Sequence, residues 1–269
     1  MNKLSIIILN YNTPDLVYDC LKSIKKFVSI DYEVILVENG SKEDSRISDA
    51  EIKKVMPENS HLIVSETNLG FGKGNNLGAT KATGDILFLM NSDTILVDDS
   101  VNKLTDFLLS HEEIGALSPV IYHPDGSVQH NFFAKFQTLA GVLFRRYNFQ
   151  EIDPPAGGQK EYFYADIVIG AAMMVRKKLF EEIKGFDPNI FMYLEDDDIC
   201  KRMVDKGYKN AVLTTAKIIH KEGASIKKNS NRKKLYYESQ TYFWKKHNGF
   251  LPTLLMRIIR WPYKLMKTR

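Results

Sequence analysis

The 269-residue sequence is poor in cysteine, with two, and in proline, with nine, and it contains no apolar run long enough to span a membrane as a helix. Cys20 and Cys200 have no CxxC partner and no histidine at metal-ligand spacing. That excludes a disulfide scaffold or a thiolate zinc site and fits a reduced, cytoplasmic setting. The start, Met1-Asn2-Lys3 followed by the apolar-rich Leu4 to Leu9, lacks the longer apolar region and small-residue cleavage site of a signal peptide and reads as a strand. Internal repeats and low-complexity tracts are absent too. What is present, 44% hydrophobic and 11% aromatic residues, is enough to bury a large core and excludes a disordered or collagen-like chain.

The net charge of +4 conceals a division. From Lys221 to Arg269 there are 13 basic residues and two acids, a charge of +11, whereas residues 1 to 220 carry 24 basic and 31 acidic residues, a charge of −7. A weakly basic average suggests no partner, but an acidic body with a basic tail does.

Leu4 to Leu9 has the continuous apolar character of a strand covered on both faces of a parallel sheet. Thr13-Pro14-Asp15 then offers a cap, a proline at the first helical position and an acid in the first turn, ahead of Leu16, Val17, Cys20, Leu21, Ile24 and Phe27 at helical spacing. Further strands are expected at Tyr32 to Val37, Leu62 to Ser65 and Ile86 to Met90, with helices around Ser45 to Met56 and Asn75 to Ala82. Such alternation predicts a doubly wound α/β layer, in which ligands bind beyond the carboxyl ends of the strands. The polar residues expected there are Asn10-Tyr11-Asn12, Glu38 to Ser41, Asn68 to Gly72 and Asn91 to Thr94. Past residue 110 the alternation fails. A strand at Ala116 to Tyr122 enters the turn His123-Pro124-Asp125-Gly126, a hairpin signal; residues 131 to 160 read as an irregular loop; order resumes at Tyr164 to Val175 and in a helix from Lys177 to Lys184.

Three groups of residues carry chemistry. Asp93 follows a strand end, where one carboxylate suits a hard divalent cation shared with a diphosphate, although a turn or helix cap would use the same residue. Glu195-Asp196-Asp197-Asp198 opens a helical pattern that ends at Gly207. The helix dipole favours acids there, and Asp198 can pair with Arg202, yet four consecutive acids repel, so a raised pKa or a neighbouring cation is expected. His220 ends a strand-like stretch, where a lone histidine is usually a satisfied structural or surface residue. Gly70-Phe71-Gly72-Lys73-Gly74 resembles a phosphate loop but fits neither the dinucleotide fingerprint nor the P-loop.

Together these segments resemble one family. Ser5 to Asn12, Val37 to Ser41, Asn68 to Gly72 with Gly74-Asn75-Asn76, Asn91-Ser92-Asp93, Gly170-Ala171-Ala172, Gly185-Phe186-Asp187, Glu195 to Asp198 and His220 stand in the order seen in family-2 inverting glycosyltransferases with the GT-A fold. The likeness covers roughly residues 3 to 225 and is greatest to the rhamnosyltransferase-like branch. It implies a GT-A domain over 1–225, with a nucleotide-sugar half at 1–110, an acceptor and catalytic half at 111–225, and a basic helical extension at 226–269. It also implies that Asn10, Tyr11, Asn12, Glu38, Asn68, Gly70, Lys73, Asn75, Asn91, Ser92 and Asp93 line the nucleotide-sugar pocket. By the same resemblance Asp93 and His220 hold Mg²⁺ or Mn²⁺, Asp196 is the catalytic base, and Glu195 and Asp198 face the acceptor. The implied donor is dTDP-rhamnose, with UDP-sugars as the alternative.

In the tail, Leu254, Leu255, Ile258 and Ile259 recur at helical spacing among Arg257, Arg260, Lys264 and Lys267, with Trp261 and Tyr263. A basic amphipathic helix of this kind suits an anionic membrane surface and, by location, a lipid-linked glycan acceptor at the inner face of a bacterial membrane; a terminal helix packed on the domain is the alternative. No nucleic-acid-binding motif is present. A sugar nucleotidyltransferase would carry a glycine-rich basic loop after the first strand in place of Asn10-Tyr11-Asn12, and a non-catalytic carbohydrate or partner-binding module would not need Asp93, Asp196 and His220 together.

Overall fold

A computed structural model describes residues 3–129, 133–143, 160–221 and 232–266. The expected boundary at 225/226, the Pro154 to Gly158 segment and the last three residues lie outside the described residues. The chain order is β1 (Leu4–Asn10), α1 (Pro14–Phe27), β2 (Tyr32–Asn39), a 3-10 turn (Glu43–Ser45), α2 (Asp49–Ile52), β3 (His61–Ser65), α3 (Phe71–Ala79), β4 (Ile86–Asn91), β5 (Thr94–Leu96) and α4 (Ser100–Ser110). Then come β6 (Ile114–Tyr122), β7 (Phe133–Ala134), α5 (Leu139–Leu143), β8 (Tyr162–Ala165), β9 (Ile167–Val168), β10 (Ala172–Arg176), α6 (Lys177–Glu182), α7 (Glu195–Asp205), β11 (Lys209–His220), α8 (Arg232–Asn248) and α9 (Phe250–Met266).

One sheet runs β3-β2-β1-β4-β10-β6-β11-β5, with β8 also paired to β11. The β3-β2-β1-β4 half is all parallel, so Asn10, Asn39, Ser65 and Asn91 end their strands along one edge. β10 enters antiparallel between β4 and β6, making the second half mixed. Ile6, Ile7 and Ile8 of β1, like Val34 to Val37 of β2, are fully buried, as the unbroken apolar runs require for strands covered on both faces.

Several expected helices take a different form. Ser45 to Met56 yields the 3-10 turn and the one-turn α2. The Asn75 to Ala82 helix starts at Phe71, so the glycine-rich stretch lies within α3 rather than in a loop. Packing explains this: a Cβ on Gly74 would lie 2.4 Å from Leu9 Cδ2, and one on Gly78 would lie 2.5 Å from Ile7 Cγ2. These glycines let α3 press onto the sheet at a distance larger side chains forbid. Tyr164 to Val175 divides into β8, β9 and β10, and the predicted irregular stretch contains β7 and α5 among its described residues.

In the tail, α9 packs on α8 through Met256, which joins Leu194, Phe243 and Trp244 in a small second core. Its other face carries Phe250 (74% exposed), Leu251, Leu254, Leu255, Ile258 and Trp261 (65% exposed). Arg260, expected among the surface cations, instead turns inward: it donates to Gln240 Oε1 at 2.8 Å and lies 4.6 Å from the Tyr237 ring centroid. No helix among the described residues is long and apolar enough to cross a membrane.

Candidate active site

At the parallel edge, the polar residues are largely committed to one another. Asn10 is fully buried; its amide donates to Glu38 Oε2 at 2.6 Å and to Ser41 Oγ at 3.2 Å, while its carbonyl oxygen accepts from Thr13 N and Oγ1. The Thr13 hydroxyl therefore serves the β1 end rather than capping α1. Asn12, in the left-handed region at φ 59°, accepts from the Lys42 N–H through its side-chain oxygen and donates its own backbone N–H to Ser41 Oγ. Glu38 is buried, and besides Asn10 it accepts from the backbone N–H of Ser41 and of Ile47. Glu38 thus ties the β1 and β2 turns together, with both oxygens occupied by this chain. Tyr11 and Lys73 are exposed, and Asn75 is buried against the Phe71 carbonyl. Asn68 accepts from Gly70 N at 2.8 Å. Gly70, at φ 80°, approaches so closely that a Cβ would lie 2.2 Å from the Phe191 carbonyl oxygen, which only glycine allows.

Asp93 lies in the two-residue turn between β4 and β5, and His220 ends β11, which pairs with β5 so that His220 stands opposite Thr94. This brings His220 Nε2 to 3.1 Å from Asp93 Oδ1, both side chains being about nine-tenths buried. The Lys221 amide donates to the Asp93 carbonyl, and Ser92 Oγ meets Thr13 Oγ1. One carboxylate and one imidazole at this spacing fit a divalent cation, since ligands about 2.1 Å from an ion and at right angles lie about 3 Å apart. Among the described residues no cluster of three His, Cys, Asp or Glu forms a fuller cage. The remaining positions on an ion held by Asp93 and His220 would fall to phosphate and water.

The acidic helix is reached through a strained corner: Tyr193 and Leu194 have φ of 68° and 63°, a conformation that costs a non-glycine residue about 1–2 kcal/mol. Leu194 is held there by the second core, and Ser239 Oγ of α8 donates to the Met192 carbonyl. The corner aims Glu195 and Asp196 inward, where Glu195 Oε2 and Asp196 Oδ1 are buried with no hydrogen-bond partner. Burial pushes the Asp196 carboxyl up to about 6, against the pull of the Gly170 backbone N–H. Burial, then the Asp196 charge, lifts Asp197 to about 7 and Glu195 well above the usual carboxylate range. Gly170 joins this group to the sheet. A Cβ there would lie 2.6 Å from Asp196 Oδ1, and the next residue, Ala171, accepts from the Asn91 amide. Asp196 and the Asn91-Ser92-Asp93 turn thus flank the Gly170-Ala171 segment.

Asp198, expected at the acceptor, is placed elsewhere. It is fully buried and binds Arg202 Nε at 2.8 Å, Lys246 Nζ at 2.5 Å and His247 Nε2 at 2.8 Å. Burial opposes its charge, but the His247 hydrogen bond and the Arg202 and Lys246 charges hold its carboxyl below the usual range. Lys246 also reaches Asp187, which Tyr242 and Asn189 bind as well. Asp187 and Asp198 therefore fasten α8 to α7 and to the segment before it. The Gly185-Phe186 segment docks on Asn76, whose amide pairs with both the N–H and the carbonyl of Phe186.

One residue at the site escapes sequence reasoning. Gln129, at the foot of the His123 to Ser127 hairpin, is 1% exposed and contacts His220 at two points; only the hairpin signal hinted that this loop was ordered.

A family profile described as "Glycosyl transferase family 2" matches residues 5–184, and one described as "N-terminal domain of galactosyltransferase" matches 159–223. Among curated proteins, the chain is 23% identical over 246 residues to the N-acetylglucosaminyl-diphospho-decaprenol L-rhamnosyltransferase of Mycobacterium tuberculosis, covering 81% of this chain and 76% of that one. It is 26% identical to the low-salt glycan biosynthesis hexosyltransferase Agl10 of Haloferax volcanii, covering 75% and 62%. Among solved structures it is similar to GalNAc-T7 with UDP, GalNAc and Mn²⁺ (TM-score 0.68, 15% identity, 98% of this chain and 55% of that one). It is also similar to the mannosyltransferase PcManGT of Pyrobaculum calidifontis with GDP-Man and Mn²⁺ (TM-score 0.62, 16% identity, 91% and 64%). These structural likenesses show the expected GT-A fold.

Proposed function

From the premise that the chain belongs to glycosyl transferase family 2 and is a glycosyltransferase, we propose that it moves a sugar, with inversion, from a nucleoside diphosphate to a glycan hydroxyl. The observation that carries this reading is the orphaned, buried Asp196 oxygen beside Gly170, next to the strand end that presents Asp93. An inverting transfer needs a base on the face of the anomeric carbon opposite the nucleotide, and a half-buried carboxylate with a raised pKa and an unpartnered oxygen suits proton removal from an incoming hydroxyl. Asp196 takes that proton as the oxygen–carbon bond forms and the bond to the diphosphate breaks. Glu195, with its own unpaired oxygen, holds acceptor hydroxyls. Asp93 and His220 would hold a divalent metal, Mg²⁺ or Mn²⁺, whose charge would offset that building on the leaving diphosphate.

The donor is proposed as dTDP-rhamnose, supported by the name of the mycobacterial relative. A hydrolysis and thermal-shift screen of nucleotide sugars, with and without Mn²⁺, tests it. Metal-dependent stabilisation and turnover by dTDP-rhamnose, above UDP- and GDP-sugars, is the expected result, and a preference for a UDP-sugar would reassign the donor.

The acceptor is proposed as a lipid-linked glycan met at an anionic bilayer, on which the chain lies through residues 250–269. The outward apolar face of α9, beside exposed Arg257 and the basic residues Lys264, Lys267 and Arg269 of the sequence, supports this, because apolar insertion and headgroup attraction act together. Because Met256 is part of the second core, truncation would disturb the site, and serine substitutions at Leu254, Ile258 and Trp261 are the cleaner probe. Sedimentation with phosphatidylglycerol vesicles should fall sharply in this triple variant; unchanged sedimentation would dismiss the membrane partner.

A further inference from the structure

The side chain of Gln129 faces His220 with both of its polar atoms. Its Nε2 donates to the His220 carbonyl at 2.8 Å and lies 3.3 Å from His123 Nδ1; its Oε1 lies 3.1 Å from His220 Nδ1. A carbonyl oxygen only accepts, so the nitrogen of the amide must be the end that faces it, and the two orientations of the glutamine are not interchangeable. The oxygen end then faces Nδ1, and since that oxygen only accepts, Nδ1 must carry a hydrogen. In the neutral ring this leaves the lone pair on Nε2, the atom 3.1 Å from Asp93 Oδ1. The glutamine is itself fixed: it is buried, its backbone N–H donates to Ile121 O at 2.9 Å, and Tyr122 bridges Val128 beside it.

We propose that Gln129 is a positioning residue of the Asp93–His220 pair, setting the ring tautomer and rotation that turn Nε2 toward a divalent cation. An outer partner on the second ring nitrogen fixes a ligating histidine in this way, and its loss weakens metal binding about 10- to 100-fold. The inference rests on the reading of Asp93 and His220 as metal ligands.

Titrating Mn²⁺ alone into the full chain, with the free ion followed by electron paramagnetic resonance, tests both and tells them apart. Gln129→Met keeps the length of the side chain and removes its polar ends. The expected result is at least tenfold weaker Mn²⁺ binding in Gln129→Met and no detectable binding in Asp93→Asn. Binding within twofold of the unsubstituted protein in a folded Gln129→Met, with Asp93→Asn still deficient, overturns the role of Gln129 and leaves the metal pair standing. Unchanged binding in both Asp93→Asn and His220→Ala overturns the metal pair, and the role of Gln129 with it. Should Gln129→Met fail to fold, nitrogen-15 NMR of the unsubstituted protein decides. A His220 Nδ1 that carries its hydrogen both without metal and with Mg²⁺ supports the assignment, and an unprotonated Nδ1 overturns it.

Discussion

Two carboxylates flank Gly170-Ala171, and they are treated in opposite ways. Asp93 meets an imidazole at 3.1 Å, and that imidazole is in turn braced by a buried glutamine. Asp196 and Glu195 each keep one buried oxygen without a partner, and burial raises both pKa values. Paired ligands braced from behind suit a positive ion that stays put. An unpaired oxygen with a raised pKa suits a proton that comes and goes. Asp198, two residues beyond Asp196, shows a third treatment: bound to Arg202, Lys246 and His247, it holds the helices together and has no oxygen to spare for a substrate.

The sharpest way to break this division is Asp196→Asn. Turnover should fall about 10²- to 10⁴-fold, the usual worth of a positioned base, while donor affinity measured by calorimetry stays within a few-fold; near-normal turnover would remove Asp196 from the chemistry. Asp198→Ala should act on stability instead. Leaving Arg202 without its buried counter-charge, and Lys246 with Asp187 alone, should cost about 3–5 kcal/mol, read as a lowered midpoint in urea, and an unchanged midpoint would contradict the fastening role. Gly170→Ala should cost less, about 1–3 kcal/mol for an overpacked contact, because its Cβ would meet Asp196 Oδ1 and the Phe71 ring. Its turnover should drop while Mn²⁺ affinity does not; parallel loss of both would mean that the two carboxylates are not separable.

A further effect is expected with pH. Asp196 and Asp197, raised to about 6 and about 7, hold protons in the folded chain that the unfolded chain has released. Their contribution to stability is therefore favourable below about pH 4 and is lost as pH rises toward 7. As the proposed base, Asp196 works only when ionised, so turnover should climb over the same interval in which the metal-free protein becomes easier to melt. A pH–rate profile and melts at pH 5 and 8 check this; Asp196→Asn should narrow the difference between the two melts.

Local pattern made much of this legible. Continuous apolar runs marked β1, β2 and β4, the polar residues after them fell on one edge, and the acid run opened a helix. What escaped was the work of contacts between distant positions. Gly74 reads as a loop residue because nothing nearby in sequence shows that Leu9 presses against it. Glu38 reads as a free acid after a strand, but Asn10 and the Ser41 and Ile47 amides use its oxygens. Asp198 reads as an acceptor-facing acid with Arg202 within reach, because its further partners Lys246 and His247 lie in another helix. Arg260 counts as a tail cation until the structure shows it turned inward, where burial lowers its pKa. Gln129 and His220 are 91 positions apart, and no periodicity links them.

The pairing of β11 with β6 carries a further consequence. Leu213 stands opposite Pro119, but the next pair is Lys217 with Val120, so β11 takes three residues, Thr214, Thr215 and Ala216, that β6 does not match. Successive residues of a strand point to opposite faces, so an odd surplus resets the phase of everything beyond it. His220 owes the face on which it emerges to that count. A one-residue deletion between Leu213 and Lys217 would alter no residue of the site, yet it would put the end of β11 out of phase and swing the imidazole away from Asp93. Part of this site is therefore encoded as chain length rather than as side-chain identity.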